Sequence, residues 1–129
     1  MNDIDRFKFS LQNAFEGIKI TLRTQRNLRI HIIVGLLIIS VSFLLKIDLL
    51  EFVLILLTVM IVLVTEILNT AIEFTIDLVS PQYNQLAKKV KDISAAAVLV
   101  SASFAILIGL FILGPRLITL LGEILQEIF

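Results

Sequence analysis

Between Ile93 and Leu113 the chain runs for 21 residues without a charged side chain. At 1.5 Å per residue a helix of that length spans about 31 Å, close to the roughly 30 Å hydrocarbon core of a bilayer. Lipid offers no partner for a backbone N–H or C=O, so a lone apolar run of this kind must be helical. The rest of the chain agrees. Hydrophobic residues make up 58% of 129 residues, against roughly 45–50% in soluble proteins. Two prolines and five glycines leave little room for irregular structure. The expected class is an all-α integral membrane protein with one domain over residues 1–129. The absence of cysteine excludes disulfides and thiolate metal sites. Eleven basic and 11 acidic residues balance, which gives no sign of a nucleic-acid partner. The opening MNDIDRFKFS has early acids and no apolar core, so no cleavable signal peptide is expected.

Around that span the remaining elements can be placed. Ile4, Phe7, Leu11, Ala14, Phe15, Ile18 and Leu22 recur at helical steps opposite Arg6, Gln12, Lys19 and Arg23. This predicts an amphipathic surface helix over 4–27, lying in the membrane interface. Ile32 to Leu45 is a charge-free run of 14 residues. With Leu28, Ile30 and the stem of Arg29 it predicts a first span over 29–46. Lys46 to Glu51 reads as a solvated turn with Asp48 as N-cap. A second span over 49–79 carries a cytoplasmic extension and ends at Ser80 and Pro81. Residues 80–92 form a polar loop and a helix start, and the third span covers 93–113. Its early Ser94, Ala95, Ala96, Ala97, Ser101, Ala102 and Ser103 suit close helix packing. Gly114 and Pro115 are expected to stop it, leaving an amphipathic interfacial helix over 116–129. Nine of 11 basic residues fall before the first span or between the second and third. That bias puts the N-terminus in the cytoplasm and the C-terminus outside.

The second span is unusual because it is not apolar all round. Glu66, Asn69, Glu73 and Asp77 are spaced 3, 4 and 4 residues apart, within a stripe roughly 60° wide. Glu66 lies about 21 Å beyond Phe52, in the second leaflet crossed, so the stripe opens toward the cytoplasm. Ionisable groups at such depth are costly and mark function more often than structure. As glue, these residues would hydrogen-bond between helices. As a site, the carboxylates suit a divalent cation, and magnesium with its oxygen ligands often bridges to phosphates. Lys88, Lys89 and Lys91 supply charge for a polyphosphate. Glu66, deeper, is placed to take a proton from a lipid alcohol. Phosphoryl transfer needs mainly positioning and charge stabilisation, and this set fits a kinase of a lipid hydroxyl. GxxxxGK[ST] does not occur, so a nucleotide site here is not a P-loop. The competing reading is a small proton-coupled transporter using Glu66. His31 and Tyr83 read as interface anchors.

The segments EILNTAIEFTID and LAKKVKDISAAAV resemble the small prokaryotic membrane kinases, the family of diacylglycerol kinase and undecaprenol kinase. The resemblance covers roughly residues 6–113, and RNLRIH (Arg26 to His31) leans toward the undecaprenol kinase branch. It implies a homotrimer with composite sites, using MgATP on a membrane lipid alcohol, either undecaprenol or diacylglycerol. Glu66 would be the general base and Glu73 a metal-ligating carboxylate. Asn69 and Asp77 would belong to the same polar site. Lys91 would meet the ATP phosphates and Asp92 the nucleotide beside them. Arg6 and the loop residues Gln82, Tyr83 and Asn84 would complete the nucleotide site. One position departs from the pattern. The family's second metal-binding glutamate is Gln25 here, a weaker ligand, which implies either tolerance of the loss or an impaired catalyst.

Overall fold

The computed structural model describes residues 2–128, which form four α-helices: α1 (Asp3–Thr24), α2 (Arg26–Leu44), α3 (Leu49–Val79) and α4 (Gln85–Ile128). Residue 129 of the expected tail lies outside the described residues. Three of the helices are long and apolar enough to cross a membrane: Arg26–Leu44, Leu49–Val79 and the Gln85–Gln126 part of α4.

Side chains at the helix ends explain most of the boundaries. Asn2 Oδ1 accepts the Asp5 backbone N–H at 2.8 Å, and Asp3 and Asp5 complement the positive end of α1. Gln25 alone breaks the chain between α1 and α2, in extended conformation (φ −101°, ψ 114°). The Arg29 guanidinium reaches back over this break and donates to the carbonyls of Leu22 (2.8 Å) and Arg23 (3.2 Å), which the end of α1 leaves free. The α2–α3 turn places Lys46 at φ 49°, a left-handed conformation that costs a non-glycine residue about 1 kcal/mol. Asp48 and Glu51 then form a reciprocal capping box at 3.0 and 3.1 Å. The backbone N–H of Glu51 holds the Asp48 carboxyl below its ordinary pKa. Asn84 caps α4, its Oδ1 accepting from Leu86 N (2.8 Å) and Ala87 N (3.3 Å).

Two expectations require correction. Gly114 and Pro115 do not stop the third span: α4 runs unbroken through Pro115, so no separate helix begins at 116. The helix is held across the proline from both sides. Leu113 is buried, and Arg116 pairs with Glu51 of α3 at 2.7 Å. One missing N–H is tolerated where neighbouring packing secures the flanking turns. The same pair shows that Glu51 does more than line a solvated turn, because it fastens the start of α3 to the far part of α4.

The central element is α3, packed most extensively on α4 and next on α2. Gly35 lets α2 approach, since a Cβ there would stand 2.8 Å from Val59 Cγ1. The accessible surface is 9878 Å², well above the roughly 6,900 Å² of a compact soluble chain this long. Large apolar side chains stand exposed on every helix, including Phe7 and Phe15 on α1 and Leu36, Leu68 and Phe111 on the spans.

Candidate functional site

Glu66 is the deepest charged residue of α3, with 1% of its surface exposed. One turn on, Thr70 Oγ1 donates to the Glu66 carbonyl at 2.9 Å. The carboxyl opens on a cleft of about 320 Å³, which Asn27, His31, Asn69 and Glu73 also line, with Ala95, Val98 and Leu99 as an apolar wall. Among the described residues no hydrogen-bond donor reaches the Glu66 carboxylate.

Glu73 is held differently. Ser94 Oγ donates to Asn69 Oδ1 at 2.6 Å, which fixes the Asn69 amide and turns its Nδ2 to Glu73 Oε1 at 3.0 Å. Gln25 Nε2 approaches the other oxygen, Oε2, at 3.4 Å. The Lys91 carbonyl, 2.9 Å from the same hydroxyl, is the alternative acceptor for its one proton. A single polar chain thus links α4, α3 and the α1–α2 junction. The stripe expected on one helix becomes a site because Ser94, on the small-residue face of α4, fits against Asn69.

Asp77 lies beyond this chain, in a second cleft of about 240 Å³ with Gln82, Tyr83, Asn84, Lys88 and Lys91. Lys91 Nζ is ion-paired with Asp77 Oδ1. Both side chains are substantially exposed, so the pair contributes under about 1 kcal/mol and exchanges readily for another anion. Lys88 pairs with Asp92 at 2.7 Å, and Asp92 lines neither cleft. Arg6 is exposed on α1 and also lies outside both clefts.

The chain has recognisable relatives. The sequence model for prokaryotic diacylglycerol kinase matches residues 12–113. The chain belongs to the prokaryotic diacylglycerol kinase family. An undecaprenol kinase of Bacillus subtilis is 38% identical over 116 residues, covering 90% of this chain and 94% of the relative. A diacylglycerol kinase of Synechocystis is 38% identical over 113 residues, covering 87% of this chain and 65% of that protein. The diacylglycerol kinase of Escherichia coli is 30% identical over 94 residues, 73% of this chain and 77% of its own length. The family consists of lipid kinases, which use ATP as co-substrate.

For a kinase of this family the donor set around Glu73 can be tested against magnesium. Among the described residues no three acids or imidazoles cluster as for a resident ion. Glu73 has two N–H donors on its oxygens and keeps further lone pairs free. Magnesium typically takes one or two carboxylates and fills the rest of its shell with water and phosphate. The set therefore fits an ion that arrives with phosphates. At Gln25 it is the amide nitrogen that meets Glu73.

Two residues of the Glu66 cleft carry no site role in the sequence reading. Asn27 and His31, the latter expected as an interface anchor, both line the Glu66 cleft. Their spacing of four on α2 was the available signal. His31, Ile30 and Ala102 also border an apolar groove of about 310 Å³, which runs between Val34, Gly35, Ile55 and Val62. The polar cleft and the apolar groove therefore share a wall of Ile30, His31 and Ala102.

Proposed function

We propose that this chain transfers the γ-phosphate of ATP to the hydroxyl of a membrane lipid, undecaprenol or diacylglycerol, at the cytoplasmic boundary. The observation that carries the reading is Glu66, buried beside an apolar groove and opening on the cleft that holds Glu73. A lipid chain in the groove would bring its headgroup alcohol past the shared wall to Glu66, which would accept the proton as the oxygen attacks the γ-phosphorus and ADP leaves. Glu73 lies seven residues further on, about 10 Å along the helix, and Asp77 about 16 Å from Glu66. That separation gives the lipid end and the nucleotide end distinct ground.

Glu73, oriented by Asn69 and Gln25, would hold magnesium on the ATP phosphates, and the ion would neutralise phosphate charge there. Lys91 would leave Asp77 for the phosphates, a weak ion pair exchanged for a stronger one. Gln82, Tyr83 and Asn84 would border the nucleotide, with Asn84 acting through the N-terminus it caps. The basic-residue bias supports a cytoplasmic N-terminus and a C-terminus outside. The exposed apolar faces support a homotrimer whose neighbours close the site, with α1 in the interface.

The test is transfer of radiolabelled phosphate from ATP to either alcohol in mixed micelles. Glu66→Gln keeps the size and removes the base, so turnover should fall at least about 100-fold with the fold intact. Near-native transfer by Glu66→Gln would remove it as the base.

A further inference from the structure

Gln25 is the one residue separating α1 from α2, and its side chain crosses to α3. Its Nε2 donates to Glu73 Oε2 at 3.4 Å, while Asn69 Nδ2 donates to Oε1 at 3.0 Å. Two carboxylates at the first of these separations would repel unless a cation lay between them. A neutral amide needs none. Among the described residues, no third acid or imidazole joins Glu73. On α1, Thr21 is the sole residue that is buried, so the Gln25 contact is one of few that fix this end of the helix.

We infer that Gln25 is a positioning residue that takes the place of a second cation. Its amide fixes Glu73 before nucleotide arrives and limits the site to one divalent ion, the one carried on the ATP phosphates. This rests on the reading of Glu73 as the carboxylate that meets that ion.

Manganese binding, read from the loss of the free-ion paramagnetic resonance signal, tests the count. The native chain should retain no ion alone and one per bound non-hydrolysable ATP analogue. Gln25→Glu should retain an ion without nucleotide and a further one with it. Two ions per nucleotide in the native chain, or ion retention by Gln25→Glu equal to native, overturns the inference. Failure of the native chain to bind the analogue with any divalent metal instead overturns the reading of the site beneath it.

Hydrogen exchange of the amides of residues 21–29 needs no nucleotide. In metal-free buffer Gln25→Met should exchange about three- to ten-fold faster than native, with no response to manganese. Gln25→Glu should also exchange faster, and manganese should restore the native rate. Native exchange in Gln25→Met, or no restoration in Gln25→Glu, refutes the positioning role.

Discussion

Replacing Ser94 by alanine removes one hydroxyl and disturbs three helices. Ser94 Oγ gives its proton to Asn69 Oδ1 at 2.6 Å, and both residues are at most 7% exposed. Without it the Asn69 carbonyl is buried and unpaired, a cost of about 1–3 kcal/mol. The amide can recover part of that by rotating, but rotation withdraws Nδ2 from Glu73 Oε1, now at 3.0 Å. The loss is therefore divided between the fold and the orientation of Glu73. If half of a 2 kcal/mol loss reaches the nucleotide end, about 1 kcal/mol, kcat/KM for ATP falls about five-fold. The lipid KM should change less, because Glu66 itself makes no hydrogen bond with Ser94 and lies about 10 Å along the helix from Glu73. The assay is a double-mutant cycle in steady-state kinetics, with Ser94→Ala, Asn69→Ala and the pair. In Asn69→Ala the hydroxyl has no side chain left to orient and turns to the Lys91 carbonyl of its own helix, so adding Ser94→Ala should cost little more. Additivity within about 0.5 kcal/mol would refute the relay, because independent groups add.

Other outcomes follow from the same geometry. His31→Ala should raise the KM for the lipid alcohol several-fold and leave the KM for ATP unchanged, which varying each substrate in turn would check. Gly35→Ala puts a methyl 2.8 Å from Val59 Cγ1 and should lower stability by about 1–3 kcal/mol, read as a lower thermal midpoint in detergent. Adding Val59→Ala should recover part of that loss, and a midpoint unmoved by Gly35→Ala would contradict the close approach of α2 and α3.

The α3 stripe was legible in the sequence because Glu66, Asn69, Glu73 and Asp77 share one helix, where spacing alone fixes the face. Partners on other helices were not. That Ser94 meets Asn69, or Gln25 meets Glu73, depends on how far α2 and α4 slide along α3, and Gly35 against Val59 sets part of that register. The place of His31 beside Glu66 was hidden for the same reason: its depth was estimable, its neighbour was not. Gly114 and Pro115 misled because the burial of Leu113 and the Arg116–Glu51 pair, both tertiary contacts, hold the helix on either side of the proline. Asn84, expected only as a nucleotide contact, turned out to cap α4 through a loop geometry that composition does not specify.

Among the described residues, the buried set is five apolar side chains and six polar ones, Thr21, Ser42, Glu66, Asn69, Thr70 and Ser94. A chain so constructed gains little from water release when its helices meet, because lipid tails solvate leucine as well as leucine does. Parting the helices within the bilayer would expose almost no apolar area to water. The heat-capacity increment of that step should therefore be small, and its free energy should fall with temperature along nearly a straight line. Soluble domains lose stability on cooling as well as on heating. These helices should only tighten in the cold.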